Sequence, residues 1–161
     1  SDNGSSESGV TGDDETPSND VAPEVGTLYE GCYVLRKEQP DGKTVVTLMS
    51  VEQDRSFDGF EQGDQESLRA AVDKTFEEWG IEGFPEWRLP TLEEVEYLKN
   101  NFSEIQKSFE SVAKGQFFVM GDYLYQSGNE ISCYSLKDGG VSVPVPKKCL
   151  LRAFTTLTFT K

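Results

Sequence analysis

Histidine is absent from these 161 residues. That removes the commonest general base, the usual triad partner and the commonest metal ligand. No glycine-rich phosphate loop stands in its place, so neither histidine-based nor P-loop chemistry is expected. Cysteine is scarce: Cys32, Cys133 and Cys149, with no CxxC spacing. A structural zinc site is therefore not expected. An odd count permits one disulfide, Cys133 with Cys149, plus a leftover thiol. It equally permits three buried thiols acting as small apolar residues. No run approaches the about 18 apolar residues of a membrane helix. Positive charge is also thin, with 15 basic against 29 acidic residues and a net charge of −14. Such a field repels phosphate backbones, so nucleic acid is not an expected partner.

The charge is uneven. Residues 1–25 hold Asp2, Glu7, Asp13, Asp14, Glu15, Asp20 and Glu24 and no Lys or Arg. Ser, Gly and two prolines fill most of the rest, with little apolar content to offset ordering entropy. This segment reads as a disordered acidic tether, and 26–161 as one folded domain. The chain starts with Ser, which sets the expectation of a removed upstream piece, a signal peptide of the lipoprotein kind. Any membrane attachment would run through that removed N-terminal signal or lipid anchor.

Within the domain, residues 28–37 read as a strand interrupted by Gly31, and 44–51 as a strand apolar on both faces. Gln39–Lys43 carries turn chemistry. Residues 52–64 form a polar loop with Asp54, Asp58, Glu61 and Asp64, whose spacing does not fit an EF-hand. A helix is expected over 65–79, capped by Asp64 and stopped by Gly80. Thr91 to Glu94 is a capping box opening a second helix, with Leu92, Val95, Leu98 and Phe102 on its core face. Ser103 and Gln106 repeat that spacing before a helical piece over 104–113. The remainder reads as β: 116–126 with a break at Gly121, 131–136, an edge strand at 141–146 containing Pro144 and Pro146, and 149–159. On that last strand Cys149, Leu151, Ala153, Leu157 and Phe159 point one way. Strands, then helices, then strands indicate an α+β fold.

The run Trp87-Arg88-Leu89-Pro90-Thr91, followed by Glu94, Val95 and Leu98, resembles the WRLPT-x-x-E-[LV]-x-x-L signature of a C-type-lectin-like domain family. That family includes the C-terminal domain of a bacterial collagen-like adhesin and many exported bacterial proteins. Tyr123-Leu124-Tyr125-Gln126-Ser127 stands where its aromatic-Trp-Ser-Ser strand belongs. Leu151-Arg152-Ala153-Phe154 stands where its terminal strand belongs. The resemblance spans about residues 28–159. It implies a C-type-lectin-like fold, mainly antiparallel sheet with two or three helices. Related lectins bind sugars through calcium using Glu-Pro-Asn or Gln-Pro-Asp with Trp-Asn-Asp. None of these triplets occurs here, so no calcium, other metal or cofactor is expected. A distantly related oxidase fold uses a cysteine pair, which Cys133 and Cys149 could imitate. No neighbouring His would activate such a thiolate.

Read physically, Trp87, Arg88, Pro90, Thr91, Glu94 and Arg152 form a structural corner, with direct ligand contact as the other reading. The expected ligand cluster is Asp122, Tyr123, Tyr125, Asn129 and Glu130, an exposed aromatic and polar group for a glycan or peptide. The expected function is non-catalytic: an exported recognition or adhesion module on the outer membrane or surface of a Gram-negative cell, or in its periplasm. A structural or accessory subunit of a surface assembly is the alternative. A cysteine oxidoreductase, the third reading, needs an exposed thiol pair within disulfide reach.

Overall fold

The computed structural model describes residues 21–80 and 86–160. Of the expected tether over 1–25, residues 1–20 lie outside the described residues. Its other end does not reach Gly26. Ala22 is buried against Val34, Val46 and Phe159, and Glu24 pairs with Lys37 at 3.2 Å. The folded body therefore begins before residue 26.

The architecture is α+β with two sheets and three α-helices among the described residues. The strands are β1 (Leu28–Tyr29), β2 (Cys32–Glu38), β3 (Thr44–Met49), β4 (Asp54–Phe57), β5 (Asp122–Ser127), β6 (Glu130–Ser135), β7 (Val141–Ser142), β8 (Cys149–Leu151) and β9 (Phe154–Phe159). The helices are α1 (Gln65–Trp79), α2 (Leu92–Asn100) and α3 (Phe102–Val112). The first sheet has the order β9-β3-β2-β1, the second β4-β8-β5-β6-β7. Pairing is antiparallel except between β5 and β8, which meet in parallel at Tyr123 and Leu150.

Both sheets are covered on both faces. Along β2, Tyr33 and Leu35 enter the central core while Cys32 and Val34 enter an outer one. Along β5 and β8, Tyr123, Tyr125 and Leu150 face the central core, and Leu124, Cys149 and Leu151 face a third core under α1. A strand buried on both sides needs apolar residues at every position, so runs such as CYVL and CLL lack polar alternation. α2 and α3 supply Val95, Leu98, Ile105 and Phe109 to the central core, between residues of the two sheets.

Several local expectations shift. Gly31 does not interrupt a strand. Glu30 (φ 52°) and Gly31 (φ 83°) form a two-residue reversal that folds β1 back on β2. Two successive positive φ values are the hallmark of a type I′ hairpin turn. The polar stretch 52–64 contains β4. Leu92 is exposed, while Val95 and Leu98 are buried and Phe102 packs on the core from α3. Ser103 caps nothing: α3 begins at Phe102 with no side-chain cap at Asn101, and Gln106 reaches Phe118 instead. Only Val141–Ser142 of the 141–146 edge segment is strand.

The expected strand 149–159 is two strands in two sheets. The ladder stops at Arg152 and Ala153, and the chain crosses from the second sheet to the first. Cys149 and Leu151 therefore serve the core under α1, whereas Leu157 and Phe159 serve the outer core. One sequence parity feeds two different cores.

Candidate functional site

The helix caps form as local chemistry dictates. Asp64 accepts from the amides of Glu66 and Ser67 at 3.0 and 3.1 Å, and Gly80 closes α1 in the left-handed region at φ 60°. At α2 the Thr91 hydroxyl accepts from the Glu94 amide at 3.2 Å, and Glu94 accepts from the Thr91 amide at 3.0 Å.

Around that box the chain builds a corner. The buried Glu94 carboxylate accepts both Arg88 terminal nitrogens, at 2.7 and 2.9 Å. A bidentate pair of this kind fixes orientation as well as contributing energy. Arg88 also donates to the Leu89 carbonyl and to the Thr156 hydroxyl on β9. Its backbone exchanges two hydrogen bonds with Phe154, at 2.8 and 2.7 Å. Thr155 donates from its hydroxyl to the Glu86 carbonyl. The Gln126 amide on β5 donates to the Pro90 carbonyl at 2.9 Å. Trp87 is half-buried against the outer core. The corner thus ties α2, β5 and β9 together.

Arg152 belongs to a different site. It is only 1% exposed and lies over the rings of Phe109 and Phe118, at 4.8 and 5.7 Å from their centroids. Its guanidinium donates to the Ser50 and Val51 carbonyls, to the Gln53 side chain at 2.8 Å, and to the Phe117 carbonyl at 2.9 Å. Burial pushes its pKa down, opposed by the nearby Tyr123 hydroxyl.

Arg152 helps hold residues 116–121, which were expected to be strand. This stretch joins no sheet. Side chains from separate elements take its backbone groups instead. Gln53 joins Arg152 on the Phe117 carbonyl, Gln106 holds the Phe118 carbonyl, and Tyr123 donates to the Val119 carbonyl at 2.8 Å. Glu110 accepts from the Phe118 amide. Phe118 plugs the core, while Phe117 and Met120 are 51% and 48% exposed. The expected break does fall at Gly121, after which β5 begins at Asp122. A Cβ there would meet Leu150 Cδ1 at 2.6 Å, so the buried Leu150 side chain would have to shift to admit one.

Two open clefts share Met120 as a wall. One, of about 420 Å³, carries Arg55, Asp122 and Lys148 above Leu150. The other, of about 350 Å³, carries Lys99, Lys137 and Glu104 beside Phe102.

The expected ligand cluster does not assemble. Tyr123 and Tyr125 are core residues, 1% and 4% exposed, and Tyr125 packs edge-on against Tyr134. Apolar neighbours in α2, α3 and β6 cover the face that the sequence left open. Asp122, Asn129 and Glu130 are exposed, but Asp122 pairs with Ser135 and Glu130 with Ser127, at opposite ends of the β5–β6 hairpin. Five strand steps separate them, roughly 17 Å. Only Asp122 lines the cleft beside Met120.

Comparison with protein-family models, curated proteins and solved structures yields no match. The chain's own geometry therefore carries the functional argument.

All three cysteines are free and buried. Burial pushes the Cys32 thiol up to about 12. A hydrogen bond with Cys149, then burial, raises that of Cys133. No disulfide joins Cys133 to Cys149, whose thiols face the same core under α1. A raised pKa is the opposite of an activated thiolate. No group of three or more Cys, Asp or Glu side chains that could hold a metal ion occurs among the described residues. In the acidic stretch, Asp54 caps the Ser56 amide and Asp64 caps α1.

Proposed function

We propose that this chain is a non-catalytic recognition module with a C-type-lectin-like fold, exported and displayed on the surface of a Gram-negative cell. One observation carries the reading. The three sequence marks of the resemblance lie far apart in the chain yet are joined by backbone hydrogen bonds, Arg88 to Phe154 and Gln126 to Pro90. The motif's reactive-looking groups are turned inward: Glu94 on Arg88, and Arg152 on carbonyls. What faces solvent instead is a pair of mixed polar and apolar clefts beside a fixed loop, a surface suited to binding. The acidic, Lys- and Arg-free segment before the domain supports display on a tether.

Cell fractionation with external protease shaving tests the compartment, and a glycan and protein binding array on the full chain tests recognition. The expected results are loss of the protein on shaving and saturable binding to at least one array member. Recovery in the soluble cytoplasm, intact after shaving, overturns the reading.

A second reading, an accessory subunit of a surface assembly, is favoured by β7. This strand edges its sheet, and Val141 and the nearby Val143 are exposed. An unpaired apolar edge is a site for pairing with another chain.

A further inference from the structure

The Phe117–Met120 segment combines features that do not occur together elsewhere among the described residues. Phe117 is the one aromatic side chain there that is exposed. Met120 lies three positions on, equally open. Between them, the carbonyls of residues 117, 118 and 119 are each held by a side chain from another element. A loop with no ladder of its own is thereby fixed, so displaying two apolar groups carries little ordering cost on binding.

The electrostatics around the segment run against the rest of the chain. The flanking clefts carry four cations, Arg55, Lys148, Lys99 and Lys137, against two acids, Asp122 and Glu104. The chain as a whole has 15 basic and 29 acidic residues. Ion pairs among the described residues use Arg36, Lys37 and Arg88, and none uses these four cations. Asp138 lies near Lys137 as well, yet none of the four is in an ion pair among the described residues, and cations gathered in an anionic protein attract negative charge.

We propose that this segment and its two clefts dock a linear acidic segment of a partner protein, with an apolar side chain packed on Phe117 and Met120 and carboxylates on either side. The proposal rests on the recognition reading and narrows it. The observations favour protein over glycan. The cleft holding Arg55 and Lys148 has no aromatic face on which a sugar could stack, and in the other Phe102 is half-buried against Phe118. Phe117 is exposed and lines neither cleft, and Phe and Met are enriched in the cores of protein interfaces.

The test uses the full chain. A displayed library of linear peptides is selected on it, and one recovered peptide is measured by fluorescence anisotropy. Selection is expected to enrich peptides in which an apolar residue is flanked by Asp or Glu. Affinity should fall with added salt. It should fall by about tenfold or more in the pair Phe117→Ser/Met120→Ser, and likewise in Arg55→Glu/Lys148→Glu. All of these side chains are at the surface, so unchanged melting temperatures check that the variants fold. Peptides without acidic enrichment, or peptides that bind the variants as well as the parent, overturn the proposal while leaving export and recognition standing. Binding of oligogalacturonate that the same variants abolish makes the ligand a glycan and overturns it. A dimer seen by light scattering and dispersed by the same variants makes the occupant a second copy, which also overturns it.

Discussion

Replacing Glu94 by Ala probes the corner most directly. The carboxylate accepts three hydrogen bonds: two from Arg88 at 2.7 and 2.9 Å and one from the Thr91 amide at 3.0 Å. A hydrogen bond to a charged group contributes about 1.5–3 kcal/mol net, so the pair of Arg88 bonds alone could account for up to about 6 kcal/mol. Two facts reduce that figure. The Arg88 side chain is 33% exposed and recovers some hydration once its partner is gone. Burying the carboxylate also costs desolvation energy that the variant no longer bears. The expected loss is about 3 kcal/mol, the low end for breaking a buried pair. At this chain length that lowers the melting temperature by roughly 9 °C. Urea denaturation followed by the fluorescence of Trp79 and Trp87 measures it. Much of the loss should be absent in an Arg88→Met background, leaving a coupling of about 2 kcal/mol in a double-mutant cycle. A loss under about 1 kcal/mol, or a coupling near zero, refutes the view that this ion pair organises the corner.

Thr91→Ala should cost about 1 kcal/mol, the usual worth of an N-cap hydroxyl, in the same denaturation assay. Trp87→Ala should cost about 2 kcal/mol, below the range for a fully buried ring because this one is half-buried; no loss would detach it from the outer core. Arg152→Met should cost about 3 kcal/mol or more by stranding the carbonyls it holds. It should also speed amide exchange across 116–121, and unchanged exchange there would separate Arg152 from the loop. Folded-state burial raises Cys32 to about 12 from 9.0 and raises Tyr33 and Tyr123 above their ordinary value. Groups held protonated by folding leave stability intact below about pH 9 and reduce it as pH rises toward 12. A thiol reagent at pH 8 should label no cysteine in the native chain and all three in urea; rapid native labelling would refute their burial.

What was legible in the sequence was local. The limits of α1, its Asp64 cap and Gly80 stop, and the Thr91–Glu94 box appear where residue chemistry puts them. Each signal acts within one helical turn, so no distant partner is needed to read it. The α+β order of elements was legible for the same reason. The Trp87–Thr91 corner could be singled out by its residues, although its hydrogen bonds reach β5 and β9.

Sheet membership and burial were decided by the tertiary structure. Gly31 reads alike as an interruption or as a reversal until β1 pairs with β2. Residues 149–159 read as one strand because parity continues through Arg152 and Ala153, although two sheets divide them. Tyr123 and Tyr125 look like a ligand face until α2 and α3 cover them. FFVM looks like strand until side chains from residues 53, 106, 123 and 152 take up its carbonyls. Arg55, Lys99, Lys137 and Lys148 carry no common pattern in the sequence and gather only around Met120. The physical reason is range. Capping and turn preferences depend on neighbours within a few bonds, whereas strand pairing and side-chain burial depend on groups tens of residues away, which only the folded chain brings together.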